Sequence, residues 1–393
     1  MCHRGKTFLI VHCCLWVFLF SGCNGSNGTK MSQVEAVDHA RVALHRQGDF
    51  ILGADISSAS EFIDNGIVFV DTDGQEKPLL ALLANHGFNY IRLRTFVEPS
   101  NAYGYASSQG QWCKGKRKSY NDKAHIVDFA QQVKAAGMKL LLDFHYSDTW
   151  ADPNKQVIPE QWRHITRAQD MADEITAYTQ DVMQALADAD ALPDMVQVGN
   201  EVTPGMLIHL PTSKTDCFGN NSVQNDALNG SIAHWDNLAL YLNAGIAAVK
   251  HVHSDAQIML HIENTGHPES VMEWVDNALA RNVKFDVLGL SAYEQWQGPS
   301  ARWRDTLNHL SHRYEGLKFS FVEYNPQRRL VNDIMRELPN GQGVGTFFWE
   351  PALSGEWGEM MFRVKGKRYI AKARDFAVYD QLVVDYGLQK VTQ

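Results

Sequence analysis

Eight short apolar runs, spaced along residues 51–351 and separated by stretches of helical periodicity, restrict this chain more than any other feature of its sequence. They are Ile51–Ser57, Asn89–Phe96, Lys139–Ser147, Met195–Glu201, Gln257–Asn264, Val287–Tyr293, Lys318–Asn325 and Gly345–Pro351. The runs are nearly continuous in apolar residues instead of alternating, the pattern of strands covered on both faces. His125–Ala136, closed by Gly137, and Ala172–Ala187 and Trp235–His251 carry the 3.6-residue apolar spacing of amphipathic helices. Alternating strands and helices predict a parallel sheet with crossover helices, and eight units in one chain predict a single α/β domain, a (β/α)₈ barrel with extended loops after its strands. A doubly wound open sheet is disfavoured, because Gly53-Ala54-Asp55-Ile56-Ser57-Ser58 after the first run lacks the glycine spacing of a phosphate-binding turn. No 20–50-residue repeat or Pro/Ser-rich linker divides residues 47–393.

Each run ends in polar chemistry. Asp55, Arg92 and Arg94, Asp143 and His145, Asn200 and Glu201, Glu263 and Asn264, Tyr293, Glu323 and Asn325, and Trp349 and Glu350 all sit at run ends. In a barrel these ends converge on the face that carries the active site. Glu201 and Glu323 close otherwise buried strands 4 and 7, an expensive place for a carboxylate without a partner or a task. Across a barrel mouth two such groups suit glycoside hydrolysis, retaining at a separation of about 5–5.5 Å and inverting when wider. Each glutamate alone is equally well explained by pairing with a rim arginine; together, beside Asn200 and several strand-end aromatics, they favour catalysis.

The run Asp143-Phe144-His145-Tyr146-Ser147-Asp148-Thr149-Trp150-Ala151-Asp152-Pro153, with Gln156 and Trp162 after it, resembles the strand 3 signature of glycoside hydrolase family 53, the endo-β-1,4-galactanases. Gly53–Ser57, Arg92-Leu93-Arg94, Val196–Glu201, Gly289–Tyr293, Val322-Glu323 and Phe348–Pro351 extend the resemblance in order over residues 50–355. It implies a (β/α)₈ barrel, retention of anomeric configuration and internal cleavage of β-1,4-galactan or a related plant pectic polysaccharide. Glu201 is then the acid/base and Glu323 the nucleophile, held ionised by Arg92 or Arg94, with Tyr293 donating to Glu323 and Asn200 binding the sugar 2-hydroxyl. Trp349, with Trp150 and Trp296 behind it, offers a flat ring to the apolar sugar face. Asp55, Arg94, Asp143 and His145 complete the expected sugar contacts, although Asp143 equally suits a buried pairing with an arginine. Ala292, Glu294-Gln295 and Tyr324-Asn325-Pro326 depart from the family's usual residues, beyond the catalytic groups themselves. The alternatives are a surface carbohydrate-binding barrel that does not cleave, which both glutamates argue against, and a glycanase of the same clan acting on another β-linked polymer.

Partners follow from charge and from the N-terminus. With 45 Asp+Glu against 36 Lys+Arg the net charge is −9, without the basic footprint of a nucleic-acid binder. His3, Arg4 and Lys6 precede the apolar run Phe8–Phe20 and then Ser21-Gly22-Cys23, the layout of an export signal. That run is too short to span a bilayer, which takes about 20 residues. Residues 1–22 therefore read as a signal peptide and 23–46 as a tether and lead-in. Cys23 reads as the lipid attachment point of a bacterial envelope lipoprotein; ordinary cleavage would secrete the protein. Loss of Arg4 and Lys6 with the signal moves the charge to −11, which suits a neutral polysaccharide. Cys113 and Cys217 would remain in the folded part, free or bridged. No metal motif appears, since His251, His253 and His261 lack ligand spacing. No cofactor is expected; the resemblance allows a structural calcium with no ligands assigned. A monomer is expected.

Overall fold

A computed structural model describes residues 50–106, 119–211, 221–353 and 358–391. The signal and tether readings, Cys23, Cys113 and Cys217 lie outside these residues. All the described residues belong to one compact unit.

The eight expected runs form eight parallel strands: β1 Ile51–Asp55, β2 Tyr90–Thr95, β3 Lys139–Phe144, β4 Met195–Val198, β5 Gln257–Ile262, β6 Val287–Ala292, β7 Lys318–Tyr324 and β8 Gly343–Trp349. They close into a barrel in which each strand pairs with its sequence neighbours and β8 pairs with β1. Helices follow the strands in turn: α1 Leu79–Asn85, α2 Lys123–Ala135, α3 Ala168–Asp188, α4 Trp235–Val252, α5 Pro268–Ala280, α6 Trp303–Arg313, α7 Arg328–Glu337 and α8 Ala373–Tyr386. Local chemistry sets their ends. The Asp122 carboxylate caps α2 by accepting the His125 backbone N–H at 2.9 Å, and Gly137 just beyond it takes φ +71°.

Period-two alternation divides the strands between two cores. Outward residues such as Leu52, Leu142, Val196, Leu260 and Phe348 pack beneath the helices. Inward, one residue per strand fills the lumen: Ile51, Tyr90, Leu141, Met195, Met259, Val287, Val322 and Phe347. Gly53 makes room for the Phe347 ring, since a Cβ there would lie 2.4 Å from its Cδ1. One strand breaks the alternation. Opposite β6 the register jumps from Leu290↔Phe321 to Ser291↔Glu323, so Val322 is an extra residue that re-aims everything after it.

The loop after β4 contains two small antiparallel pairs: Gly205–Met206 with Gly230–Ser231, and His209–Pro211 with Asn221–Val223. Val68–Val70 joins Arg368–Ala371 and Phe362–Lys365 in a separate three-stranded sheet.

Candidate active site

Above the apolar lumen layer, the next inward positions are Asp55, Arg92, Asp143, Gln197, His261, Ser291 and Glu323, and Arg92 ties most of them together. Its guanidinium has no exposed surface and commits all five N–H groups. Nε donates to Gln197 Oε1 at 3.1 Å, Nη1 to Asp55 Oδ2 at 2.9 Å and Glu323 Oε1 at 2.8 Å, and Nη2 to Asp143 Oδ2 and Asn200 Oδ1, each at 2.8 Å. A planar fork that is always charged can serve five acceptors in one plane, which an ammonium cannot. Arg94 instead serves Glu350 at 2.7 Å and Ser58 at 3.1 Å, and its guanidinium carbon lies 3.7 Å from the centre of the Trp150 ring. Of the two arginines offered as partners for Glu323, the geometry selects Arg92.

Glu201 is carried by a turn at the end of β4. Gly199 takes φ +83°, where a Cβ would meet Val202 Cγ1 at 2.7 Å, and Glu201 itself has φ +45°. A non-glycine residue in the left-handed region is held there only by its surroundings and marks functional sites. The signature loop after β3 supplies that hold. Ala151 accepts a hydrogen bond from Asn200 Nδ2 at 2.8 Å, and the Gln156 amide donates to the Asn200 carbonyl at 2.9 Å. The loop is in turn gathered by Asp148, which accepts the backbone N–H groups of Glu98 at 3.0 Å and Glu160 at 2.8 Å.

The two glutamates have unequal environments. Glu201 Oε1 lies 2.6 Å from Ser291 Oγ, with no cation on it among the described residues. Burial pushes its carboxyl well above the usual range, and the charges of Glu323, Glu263 and Asp152 push the same way. Burial also raises Glu323, to about 7, but Arg92 pulls against it. The Tyr293 hydroxyl donates to Glu323 Oε2 at 3.3 Å, and burial with the two glutamate charges keeps that phenol protonated. A single proton shared by this pair therefore sits on Glu201.

Other expected residues fall into two groups. Trp349 and Trp150 stand side by side at the mouth, ring centres 5.7 Å apart and both partly exposed, while Trp296 is 60 % exposed on the short helix Glu294–Gln297. Asp55, Asp143 and Arg94 have no exposed surface and His145 is 3 % exposed. Asp55 accepts from Arg92 and from both the N–H and the hydroxyl of Ser57, and Asp143 from Arg92 and Gln197. His145 accepts the Ala151 N–H at 2.9 Å and places its other nitrogen 3.0 Å from Asp143. These four side chains lie beneath the surface of the site, where the polar atoms of Asp55, Asp143 and His145 are engaged by protein partners and Arg94 spends its Nη2 on Glu350 and Ser58. Asn200 Oδ1 is likewise committed to Arg92, Gln197 and His261, so only its second amide N–H is available to a sugar hydroxyl.

Gln197 and Ser291 were not singled out from the sequence, and His261 was weighed there only as a metal ligand. A signal existed, since each lies an even number of residues from a lumen-filling residue on its strand. Among the described residues no group of three or more His, Cys, Asp or Glu is placed to hold a metal ion.

Comparison with known proteins agrees with this architecture. The family model described as "Glycosyl hydrolase family 53" matches residues 51–330, from β1 into α7. A Niallia circulans protein described as "Uncharacterized protein in bgaB 5'region" is 34% identical over 364 residues, covering 81% of this chain and 91% of that one. The arabinogalactan endo-β-1,4-galactanase of Cellvibrio japonicus is 34% identical over 252 residues, 63% of this chain and 58% of its own length. The solved Ignisphaera aggregans family 53 catalytic domain superposes with TM-score 0.70 at 26% identity, covering 84% of this chain and 95% of that one.

Proposed function

Because the chain belongs to glycosyl hydrolase family 53, we propose that it is an endo-β-1,4-galactanase that works by double displacement with retention of configuration. The substrate class rests on the name of its Cellvibrio japonicus relative, and the division of labour on one observation: of Glu201 and Glu323, only Glu323 touches a guanidinium among the described residues. Arg92 and Tyr293 leave Glu323 the better anion, suited to attack the anomeric carbon. Glu201, raised by burial and without a cation, protonates the departing glycosidic oxygen and then takes a proton from the water that hydrolyses the glycosyl-enzyme. The free amide N–H of Asn200 faces the sugar 2-hydroxyl, and Trp349 with Trp150 provides the stacking surface. Residues 1–22 export the protein, and Cys23 anchors it to the cell envelope, where a polysaccharide too large to enter the cell is met.

The test is product analysis on unbranched galactan with wild type, Glu201→Gln and Glu323→Gln, with NMR of the first-formed anomer. The β anomer should appear first. Glu201→Gln should lose about 10²–10⁴-fold on galactan, and Glu323→Gln should lose turnover altogether. Equal activity in all three proteins refutes the site, an α product refutes double displacement, and cleavage confined to another β-glycan refutes the substrate.

A further inference from the structure

A chain of hydrogen bonds ends on Glu201, and the direction of each bond follows from the one before it. Arg92 has donors only, so the Asn200 atom 2.8 Å from its Nη2 is the amide oxygen, and the amide nitrogen faces the Ala151 carbonyl. Gln197 is oriented by the same logic: its oxygen meets Arg92 Nε, and its nitrogen meets Asp143 at 2.7 Å and Asn200 Oδ1 at 3.0 Å. His261 Nδ1 lies 2.9 Å from that Asn200 oxygen, which has no proton to give, so Nδ1 carries one. His261 Nε2 lies 2.9 Å from Ser291 Oγ, and Ser291 Oγ lies 2.6 Å from Glu201 Oε1. A hydroxyl owns a single proton. With His261 neutral, Nε2 is a lone pair and takes the Ser291 proton, leaving Oγ with only lone pairs to offer Glu201. The proton in the 2.6 Å contact then belongs to the glutamate.

We propose that Ser291 and His261 are positioning residues for the acid: the Ser291 hydroxyl points at His261 Nε2 and its oxygen accepts the Glu201 proton, holding Glu201 loaded and aimed before substrate arrives. The proposal rests on the reading of Glu201 as the acid. The charged groups around the chain favour this arrangement. Glu323 from β7, Glu263 beyond β5 and Asp152 from the loop after β3 disfavour a Glu201 anion. Complete burial, with Arg92 from β2 and His145 beyond β3, disfavours a charged His261. When Glu201 passes its proton to the glycosidic oxygen, the C–O bond to that oxygen breaks and the leaving hydroxyl keeps the proton. The Ser291 proton stays directed at His261 Nε2, so the new carboxylate meets only the Oγ lone pairs and is the less favoured form of Glu201. Glu201 regains a proton from the attacking water, so no proton is lost from the chain in a cycle.

The pH dependence of kcat/KM on galactan reads the direction of this bond. In Ser291→Ala the protonated form of Glu201 loses its acceptor, so the alkaline limb moves down by about one pH unit. A serine that donates to an ionised Glu201 gives the opposite sign, and a limb that moves up or stays in place overturns the proposal. His261→Gln is permanently neutral and offers an amide oxygen to Ser291; its limb should stay closer to wild type than that of Ser291→Ala. A larger displacement for His261→Gln refutes the role of the imidazole. An aryl β-1,4-galactobioside with a nitrophenolate leaving group needs little acid assistance. Ser291→Ala should therefore lose more kcat/KM on galactan than on the aryl substrate, whereas misfolding or plain loss of packing slows both equally and counts against the relay. Glu201→Gln in the same assays separates the two levels. If it keeps the wild-type limb and rate on galactan, the assignment of Glu201 fails; if it behaves as an acid knock-out while the Ser291→Ala limb moves up, only the relay fails.

Discussion

Exchanging Arg92 for lysine tests whether one guanidinium organises the barrel mouth. Arg92 has no exposed surface and donates to five acceptors, three of them on the carboxylates Asp55, Asp143 and Glu323. A lysine brings three donors on a single nitrogen, so two of the five acceptors lose their partner. Hydrogen bonds to charged groups are worth about 1.5–3 kcal/mol each, which puts the loss at about 3–6 kcal/mol. Breaking a buried ion pair costs about 3–5 kcal/mol in general, the same range. Against a total stability of about 5–15 kcal/mol the variant should fold but melt far earlier. Urea unfolding at two pH values measures both the size and the cause. Arg92 holds down a Glu323 carboxyl that burial has raised to about 7, and the weaker contact lets it rise further. A carboxyl with a raised folded pKa costs stability above its unfolded value and recovers it as the pH falls through the folded one. The deficit should therefore be larger at pH 8 than at pH 5.5. A deficit under about 1 kcal/mol, or one that grows on acidification, refutes the argument that the five donations matter as charge pairs.

Further outcomes follow from other parts of the structure. In the wild type, kcat/KM should fall below about pH 7 as Glu323 takes up a proton and fall again at higher pH where Glu201 ionises; a profile flat from about pH 5 to 9 would contradict the two-carboxyl assignment. Gly53→Ala places a Cβ 2.4 Å from Phe347 Cδ1 inside the lumen and should cost about 1–3 kcal/mol in urea unfolding, with Phe347→Leu in the same chain restoring part of it; a neutral Gly53→Ala shows the lumen is looser than described. Asp71 is buried, which raises its carboxyl, yet Lys77 and His86, each 2.7–2.8 Å away, hold it well below the usual range. Its stabilisation is present above the ordinary value and lost at lower pH, so Asp71→Asn should cost about 1–3 kcal/mol at pH 7 and less as the pH drops below about 4; a deficit independent of pH removes the ion-pair explanation.

The residues that identify the barrel are legible because their cause is local. A parallel strand covered on both faces must be apolar throughout, and eight such runs with helical spacing between them leave few folds open. The strand-end glutamates stand out for the same reason, as charges where local burial forbids them. Whether Asp55, Asp143 and His145 are free to touch sugar turns on a different kind of information. Their partners lie 37, 51 and 6 residues away along the chain, and whether an oxygen is free or already bonded depends on what closure of the barrel brings beside it. Glu350, another strand-end acid, is taken up in the same way by Arg94 and Ser58.

The sequence by itself determined the strand count, the face on which chemistry gathers and the two carboxyls most costly to bury there, because these follow from hydrophobic periodicity and from where it is interrupted. Only the tertiary structure decided how those carboxyls differ. The extra residue at Val322 sets Glu323 opposite Ser291, Arg92 reaches Glu323 and not Glu201, and the bond order through Asn200, His261 and Ser291 reaches Glu201 alone. Those distinctions come from directional bonds between strands far apart in sequence, whose partners are chosen only when the barrel closes.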